Sequence, residues 1–144
     1  MGADFLDVNV WFALSFAGHS HHEQAIRYWE DESPSRRLVF CRVTALGLLR
    51  LLTNPKAMLD APLTISQAWE TYSELRLKEG VELWPESETC EPLLTTWALR
   101  EQFSRHLWTD AYLAAFSMAG DLRFVSFDRD FKRFPGLNLL HLPA

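Results

Sequence analysis

Four aspartates stand beside apolar segments at distant points of the chain, where a strand or a helix is expected to begin or end. Asp7 closes the first such segment, Asp110 opens another, and Asp128 and Asp130 follow a third. Acids at the tips of buried elements can converge on a single pocket. Carboxylate oxygens are the ligands that Mg²⁺ and Mn²⁺ prefer, and such a cation can activate a water against a phosphodiester. The pattern therefore predicts a site for a divalent cation.

Each acid also has a plain structural explanation. An aspartate at the start of a helix, such as Asp110, commonly caps it. The pair Asp128 and Asp130 is typical of a turn after a strand. Asp7 is harder to explain in this way, because a charge between Leu6 and Val8 is costly without a partner. The set of acids favours a cation site, whereas no single member does.

The elements that would position these acids alternate between helices and short apolar strands. Helices are predicted over 8–16, 21–31, from an N-cap at Thr44 to a stop at 54–55, and over 64–78, 91–103 and 111–118. Strands are predicted to end at 5–7 and to cover 38–41, 81–83, 123–127 and 137–142. This alternation predicts one domain over residues 1–144, a three-layer α/β/α structure with a central, mostly parallel sheet. Asp7 and Asp128 then fall at the carboxyl ends of strands, where such sheets bind ligands.

Composition narrows the class of protein. The 144 residues are 48% hydrophobic and 23% charged, which suits a packed domain rather than a disordered chain. The formal net charge of −5 disfavours nonspecific binding of nucleic acid, although bound divalent cations would offset much of it. Cys41 and Cys90 lack metal-site spacing and are expected to be buried free thiols, which suits a cytoplasmic protein. The apolar run 10–17 is too short to span a membrane.

Five segments, in order and with suitable spacing, carry a resemblance to a known family: LDVNVW at 6–11, CRVT at 41–44, LRLLTNP at 49–55, TDAYL at 109–113 and FDRDF at 127–131. They resemble the PIN-domain toxins of bacterial VapBC toxin–antitoxin pairs. The resemblance implies a PIN-like α/β/α fold and a ribonuclease that depends on Mg²⁺ or Mn²⁺. It also implies RNA as substrate, inhibition by a VapB-like antitoxin, and a homodimer.

Carried over by position, the resemblance makes Asp7, Asp110 and Asp128 the catalytic, metal-binding acids, with Asp130 as an outer metal ligand. One departure stands out. The family usually has another acid early in the helix after the second strand, and Ala45 occupies the aligned place here. The alternative hypothesis is therefore a degenerate PIN domain that binds RNA or antitoxin without efficient cleavage.

Three polar residues are candidates for supporting roles. Asn9 either orients a metal-bound water and Asp7 or caps the following helix. Ser126 could hold Asp128 in place. Arg50 could contact RNA phosphate or the antitoxin. Alternatively, it is an ordinary solvated arginine on a helix.

The tryptophans could stack on bases, but their positions in amphipathic helices assign most of them to the core. Trp29, Trp69 and Trp97 are predicted to be core residues on this ground. Trp108, close before Asp110, is the candidate for a place near substrate. A phosphatase or phospho-receiver also carries aspartates at strand ends. The segment after Asp7 lacks the second acid of the phosphatase motif, so this class ranks lowest.

Overall fold

Five parallel strands form one central sheet in the computed structural model, which describes residues 2–144. The strands are β1 (Ala3–Leu6), β2 (Arg37–Phe40), β3 (Val81–Leu83), β4 (Arg123–Ser126) and β5 (Leu139–His141). Their order across the sheet is β3-β2-β1-β4-β5, and every neighbouring pair is parallel. The predicted α/β/α architecture with a parallel sheet is therefore confirmed.

Helices cover both faces of this sheet. They are α1 (Val8–Ser15), α2 (His22–Asp31), α3 (Arg42–Leu52), α4 (Ile65–Leu77), α5 (Cys90–Ala98) and α6 (Trp108–Ala119). The first four pack around one hydrophobic cluster, and α5 and α6 pack around a second. Within residues 2–144, no helix has the length and apolar character needed to cross a bilayer. Both cysteines are buried free thiols, as predicted.

Side-chain alternation along the central strands feeds both clusters. Phe5 belongs to the cluster under α5 and α6, and its neighbour Leu6 belongs to the other. Phe124 and Val125 on β4 repeat this alternation, because β1 and β4 pair in register with Phe5 opposite Phe124. Asp7 and Ser126 come two residues after Phe5 and Phe124. Two-residue periodicity therefore directs their side chains to the same face of the sheet, towards α6.

The start of α3 differs from its prediction. The helix begins at Arg42 with Cys41 as N-cap residue, so the prediction of Thr44 as N-cap is wrong. Thr44 is the third residue of the helix, where its buried hydroxyl accepts a hydrogen bond of 3.0 Å from the Cys41 N–H. That hydroxyl also donates to the Cys41 carbonyl at 3.0 Å. The threonine acts as the reciprocal partner of a cap rather than as the cap itself.

The helices α5 and α6 also have different limits from those predicted. The first ends at Ala98 and does not continue to residue 103: the Leu99 N–H makes the last helical bond, to the Thr95 carbonyl, and the Arg100 N–H then donates to the Trp97 carbonyl in a tighter turn. The second begins at Trp108, three residues before the predicted start, because the 3₁₀ turn Arg105–Leu107 leads directly into it. Asp110 therefore lies inside the first turn of α6 rather than before it.

One of the three tryptophans predicted to be core residues lies outside the core. Trp97 is buried and Trp29 packs against the first cluster, as predicted. Trp69 is 54% exposed, so its assignment to the core is wrong. The buried side of α4 is formed by Ala68 and Tyr72, and Trp69 stands beside them at the edge of a surface groove between α3 and α4.

The helices α1 and α3 approach each other closely at Gly47. A Cβ atom on this glycine would stand 2.8 Å from Cγ2 of Val8, the first residue of α1. Glycine at this position therefore lets α3 pack directly on the turn that follows Asp7.

A buried ionic cluster fixes the opposite end of β1. Asp4 is fully buried and accepts hydrogen bonds from Tyr28 at 2.6 Å and from Arg123 at 2.9 and 2.8 Å. Arg36 completes the cluster with a salt bridge to the same carboxylate. These partners offset the desolvation of Asp4, which would otherwise be severe.

Candidate active site

The candidate site begins where β1 and β4 end side by side. The backbone N–H of Asp7 donates to the Val125 carbonyl at 2.9 Å, which continues the strand pairing by one residue. The Ser126 hydroxyl then donates to Oδ2 of Asp7 at 2.7 Å. The other oxygen, Oδ1, accepts the N–H of Val8 at 2.8 Å, and Asp7 thereby serves as the N-cap residue of α1. Both carboxylate oxygens are held in fixed positions.

Asp7 is a carboxylate in an unfavourable environment for a negative charge. It is 8% exposed, and burial raises its pKa from 3.8 to about 6. The hydrogen bonds from Ser126 and Val8 oppose this rise in pKa, whereas the charges of Asp110 and Asp128 add to it. These two acids come from other parts of the chain and act on the same buried carboxyl group.

Asp110 reaches the site from α6, which lies on the other face of the sheet from α1. It occupies the first turn of α6, where the helix dipole favours a negative charge. Burial raises its pKa, the nearby Asp128 raises it further, Arg133 lowers it, and Asp130 raises it slightly. Asp110 therefore shares one electrostatic environment with the acids that follow β4.

Asp128 and Asp130 lie in the turn beyond β4. Asp128 is the N-cap residue of the 3₁₀ turn Arg129–Arg133, and its Oδ1 accepts the Asp130 N–H at 2.8 Å. The Asp130 side chain is 61% exposed and forms a salt bridge of 3.3 Å with Arg133. Asp128 is half-buried, whereas Asp130 stands at the solvent edge of the acid cluster.

Ser126 and Asn9 connect the acids. Ser126 is fully buried, and its hydroxyl oxygen accepts the Asp128 N–H at 3.0 Å while donating to Asp7. The Asn9 amide donates to the same oxygen at 3.4 Å, and its own oxygen accepts the Phe127 N–H at 3.4 Å. Asn9 therefore ties α1 to the end of β4.

Arg50 is not brought to this cluster. It lies in the last turn of α3, exposed, and lines the groove that contains Leu46 and Trp69. The residues that line this groove belong to α3, its C-cap residue and α4, and none of the four aspartates is among them. The predicted role of Arg50 in substrate contact gains no support from this position.

Ala45 is fully buried in the first hydrophobic cluster, together with Leu6 and Val10. The resemblance predicts an acid at this position, and the side chain present is a core methyl group. A glutamate at this position would have to reach out of the core or bury its charge.

The acids have suitable chemistry for a cation, but they do not form a closed cage of ligands around one. Within residues 2–144, no group of three acid, histidine or cysteine side chains is close enough to enclose a metal ion. Mg²⁺ usually keeps several waters and needs only one or two protein carboxylates. The carboxyl groups of Asp7, Asp110 and Asp128, the last two of which raise the pKa of Asp7, suit such a hydrated ion.

Two neighbours of the site were missed from the sequence. Arg133, whose charge lowers the pKa of Asp110, was not among the predicted site residues. His141 on β5 has its Nε2 atom 3.1 Å from the Phe127 carbonyl, next to Asp128. Only the strand order, which places β5 beside β4, brings this histidine to the site, so no local sequence signal marks it.

The sheet order and the acids at its carboxyl edge define a PIN domain. Residues 5–137 match the PIN domain family, and the chain therefore belongs to that family, in its VapC-like branch. The chain is 37% identical over 139 residues to Ribonuclease VapC41 of Mycobacterium tuberculosis, which covers 92% of this chain and 94% of that protein.

Solved structures agree with this fold. The structure of VapC20 from Mycobacterium tuberculosis, described as a sarcin-ricin loop cleaving toxin, superposes with a TM-score of 0.70 at 19% identity and covers 98% of this chain and 100% of its own. VapBC2 from Rickettsia felis, solved with a DNA fragment from its promoter, gives a TM-score of 0.71 at 15% identity and covers 98% of this chain and 99% of that chain.

Proposed function

We propose that this protein is a metal-dependent endoribonuclease toxin of a toxin–antitoxin pair, in which Asp7, Asp110 and Asp128 hold Mg²⁺ or Mn²⁺. One observation carries the proposal: the charges of Asp110 on α6 and of Asp128 after β4 both raise the pKa of the buried Asp7 at the carboxyl edge of the sheet. Ribonuclease activity is what the name of the relative VapC41 states, and the family membership supports its transfer to this chain.

The chain's own residues prepare the acids for this role. Hydrogen bonds from Ser126 and Val8 occupy one lone pair on each oxygen of Asp7 and leave the others free for a ligand. The Asp130 N–H fixes Asp128 in the same way. With a pKa of about 6, Asp7 is mostly ionised at neutral pH, but its charge is poorly solvated and favours a cation. A bound divalent cation would activate water and stabilise the leaving oxygen.

The test is cleavage of a structured RNA by purified protein with Mg²⁺ or Mn²⁺. Activity should stop with chelator, and Asp7→Asn, Asp110→Asn and Asp128→Asn should each lower kcat at least about 100-fold, since removing one electrostatic contributor commonly costs that much. Asp31→Asn, an exposed acid at the end of α2, is the matched control and should cleave normally. Cleavage that survives both chelator and Asp7→Asn excludes this mechanism.

A degenerate PIN domain is the second candidate, favoured by the buried Ala45. This protein would bind RNA or antitoxin with little cleavage. Wild type and Asp7→Asn would then bind RNA equally and leave it intact with either metal. Ala45→Glu discriminates further, because activity gained only in that variant supports the degenerate function. Its folding must be checked by circular dichroism, since position 45 is fully buried.

A VapB-like antitoxin is the proposed partner, since the Rickettsia felis relative in fold was solved as VapBC2. Large apolar side chains stand exposed in two surface grooves: Leu46, Ile65 and Trp69 in one, Leu99 and Trp108 in the other. These surfaces support both an antitoxin contact and a homodimer. Co-expression with the product of the neighbouring reading frame, followed by light scattering, tests both. The buried free thiols support a cytoplasmic site of action.

A further inference from the structure

A separate pocket opens beside the acid cluster. Its volume is about 300 Å³, and it lies between the end of α5, the segment 99–107 and the turn after β4. Three aromatic side chains and two arginines line most of it: Trp97, Phe103, Phe134, Arg100 and Arg133. None of these five residues belongs to the acid set.

Two connections join this pocket to the acids. Leu107, which lines the pocket, is the N-cap residue of α6 and comes three residues before Asp110, so the pocket adjoins the first turn of that helix. Arg133 also lines the pocket, and it binds the Asp130 carbonyl at 2.9 Å through Nε. Its charge acts on Asp110 as well. A chain that reached the acids could therefore continue into the pocket.

The floor of the pocket is aromatic. The rings of Trp97 and Phe134 are 5.0 Å apart, and both side chains are buried. Phe103 is half-buried, and its ring stands 4.7 Å from that of Trp108, which is 52% exposed. An aromatic wall open on one side offers a face for a planar ring, and stacking on nucleobases is tolerant of sequence.

The rim of the pocket is basic, although the whole chain is acidic. The segments 99–107 and 129–133 together carry five cations and two acids, in a protein with a formal net charge of −5. The five cations are Arg100, Arg105, Arg129, Lys132 and Arg133. Guanidinium groups bind phosphate in a bidentate manner, so this rim complements a phosphodiester chain. It also explains how an acidic protein can hold RNA at an acidic site.

We propose that this pocket binds one nucleotide of the RNA next to the cleaved bond, with the base against Phe103 and the flanking phosphate at Arg100 and Arg133. This rests on the proposed ribonuclease function. A volume of about 300 Å³ is at the small end of ligand pockets, which run roughly 300–1,000 Å³, so it admits one nucleotide rather than a folded element. The pocket would thereby set the register of the substrate relative to the acids.

The test measures binding of a short single-stranded RNA to protein with the Asp7→Asn substitution, by fluorescence anisotropy in metal-free buffer. Arg100→Glu should weaken binding at least about tenfold and lower the slope of log K against log salt by about 0.7, the loss of one phosphate contact. Phe103→Leu should weaken it about tenfold without changing the slope, as expected for one lost stacking contact. Arg27→Glu, an exposed charge reversal on α2 over the other face of the sheet, is the matched control and should change affinity less than about twofold.

Abasic substitution identifies the bound base. Removing one particular base from the RNA should weaken binding to protein that retains Phe103 but not to the Phe103→Leu variant. The effects of the two changes are then not additive. Additive effects at every position overturn the pocket proposal. So does unchanged RNA affinity in the Arg100 and Phe103 variants, including the case in which they lose only antitoxin binding. The assay measures binding without cleavage. Failure of wild type to cut RNA would therefore count against the proposed function, but it would not affect the binding result for the pocket.

Discussion

The hydroxyl of Ser126 donates a hydrogen bond of 2.7 Å to Oδ2 of Asp7, across 119 residues of sequence. It joins the ends of β1 and β4 and fixes the most buried carboxylate of the cluster. The same hydroxyl oxygen accepts the Asp128 N–H. One serine therefore positions two of the three proposed metal ligands, and its loss should affect both.

Replacing Asp7 with asparagine should change how stability depends on pH. The pKa of Asp7 is about 6 in the folded protein and 3.8 in the reference state, so its contribution to stability is complete below pH 3.8 and is lost as pH rises through 6. Asp7→Asn removes this loss. The free energy of unfolding of the variant relative to wild type should rise between pH 4 and 7.5 by up to about 3 kcal/mol.

Urea unfolding in chelator at several pH values measures this difference. Asp31→Asn, with its exposed carboxyl group, provides the baseline and should follow wild type. If Asp7→Asn and wild type lose stability in parallel across the range, the Asp7 carboxyl group is not held in the unfavourable environment described here.

Ser126→Ala should weaken the proposed metal site without unfolding the protein. The hydrogen bond from this serine lowers the pKa of Asp7, so its removal should raise that pKa above 6 and shift metal activation to higher pH. Loss of such a supporting contact typically costs about 10–100-fold in metal affinity. The measurement is the Mn²⁺ concentration for half-maximal cleavage, as a function of pH.

Ser117→Ala is the matched control for this experiment. Ser117 is also fully buried, but its hydroxyl bonds to the Leu122 carbonyl at 3.3 Å at the other end of α6. An equal change in the Mn²⁺ midpoint for both serine variants would mean that general loosening, rather than the position of Asp7, is responsible.

Asp4→Asn should destabilise the fold and leave the chemistry intact. It breaks the buried cluster with Arg36, Arg123 and Tyr28, and removing one partner of such a cluster costs about 3–5 kcal/mol. Asp4 is the second residue of β1, near the end of the strand opposite the site. Urea unfolding should therefore show a large loss, while kcat at low temperature should match wild type. A fall in kcat in fully folded Asp4→Asn would contradict this separation.

Gly47→Ala should lower stability by about 1–3 kcal/mol, the usual cost of overpacking. The added Cβ would meet Cγ2 of Val8 at 2.8 Å, and this β-branched side chain has little rotamer freedom to move away. Combining Gly47→Ala with Val8→Ala should recover most of the loss. The melting temperatures of the four proteins in this double-mutant cycle measure the coupling. Purely additive losses would show that the contact is not the cause.

Patterns within one element predicted much of the fold. The alternation of apolar strands with helices predicted a parallel sheet, and β3 matches its predicted range of 81–83. The amphipathic pattern of α4, capped by Thr64, was likewise correct to within one residue at each end. These features depend on neighbours along the chain, which a sequence displays directly.

Features that depend on tertiary packing were not predictable in the same way. The apolar pattern of α5 continues past residue 98, yet the helix ends there without a glycine or proline to mark it. Trp69 fits an amphipathic stripe, but Ala68 and Tyr72 occupy the buried face instead. The order of strands decided the rest: it puts Ser126 against Asp7 and brings His141 next to the acid turn. The metal ligand set itself remains a prediction.

The pairing of β1 with β4 has a consequence for biosynthesis. Leu6 lies opposite Val125, so the acid cluster needs two segments that leave the ribosome at very different times. A nascent chain halted anywhere between these strands carries Asp7 but lacks Ser126 and Asp128, even where Asp110 has already been made. Truncated translation products would thus be harmless to the RNA of the cell that makes them. The active site would be complete only after most of the message has been translated.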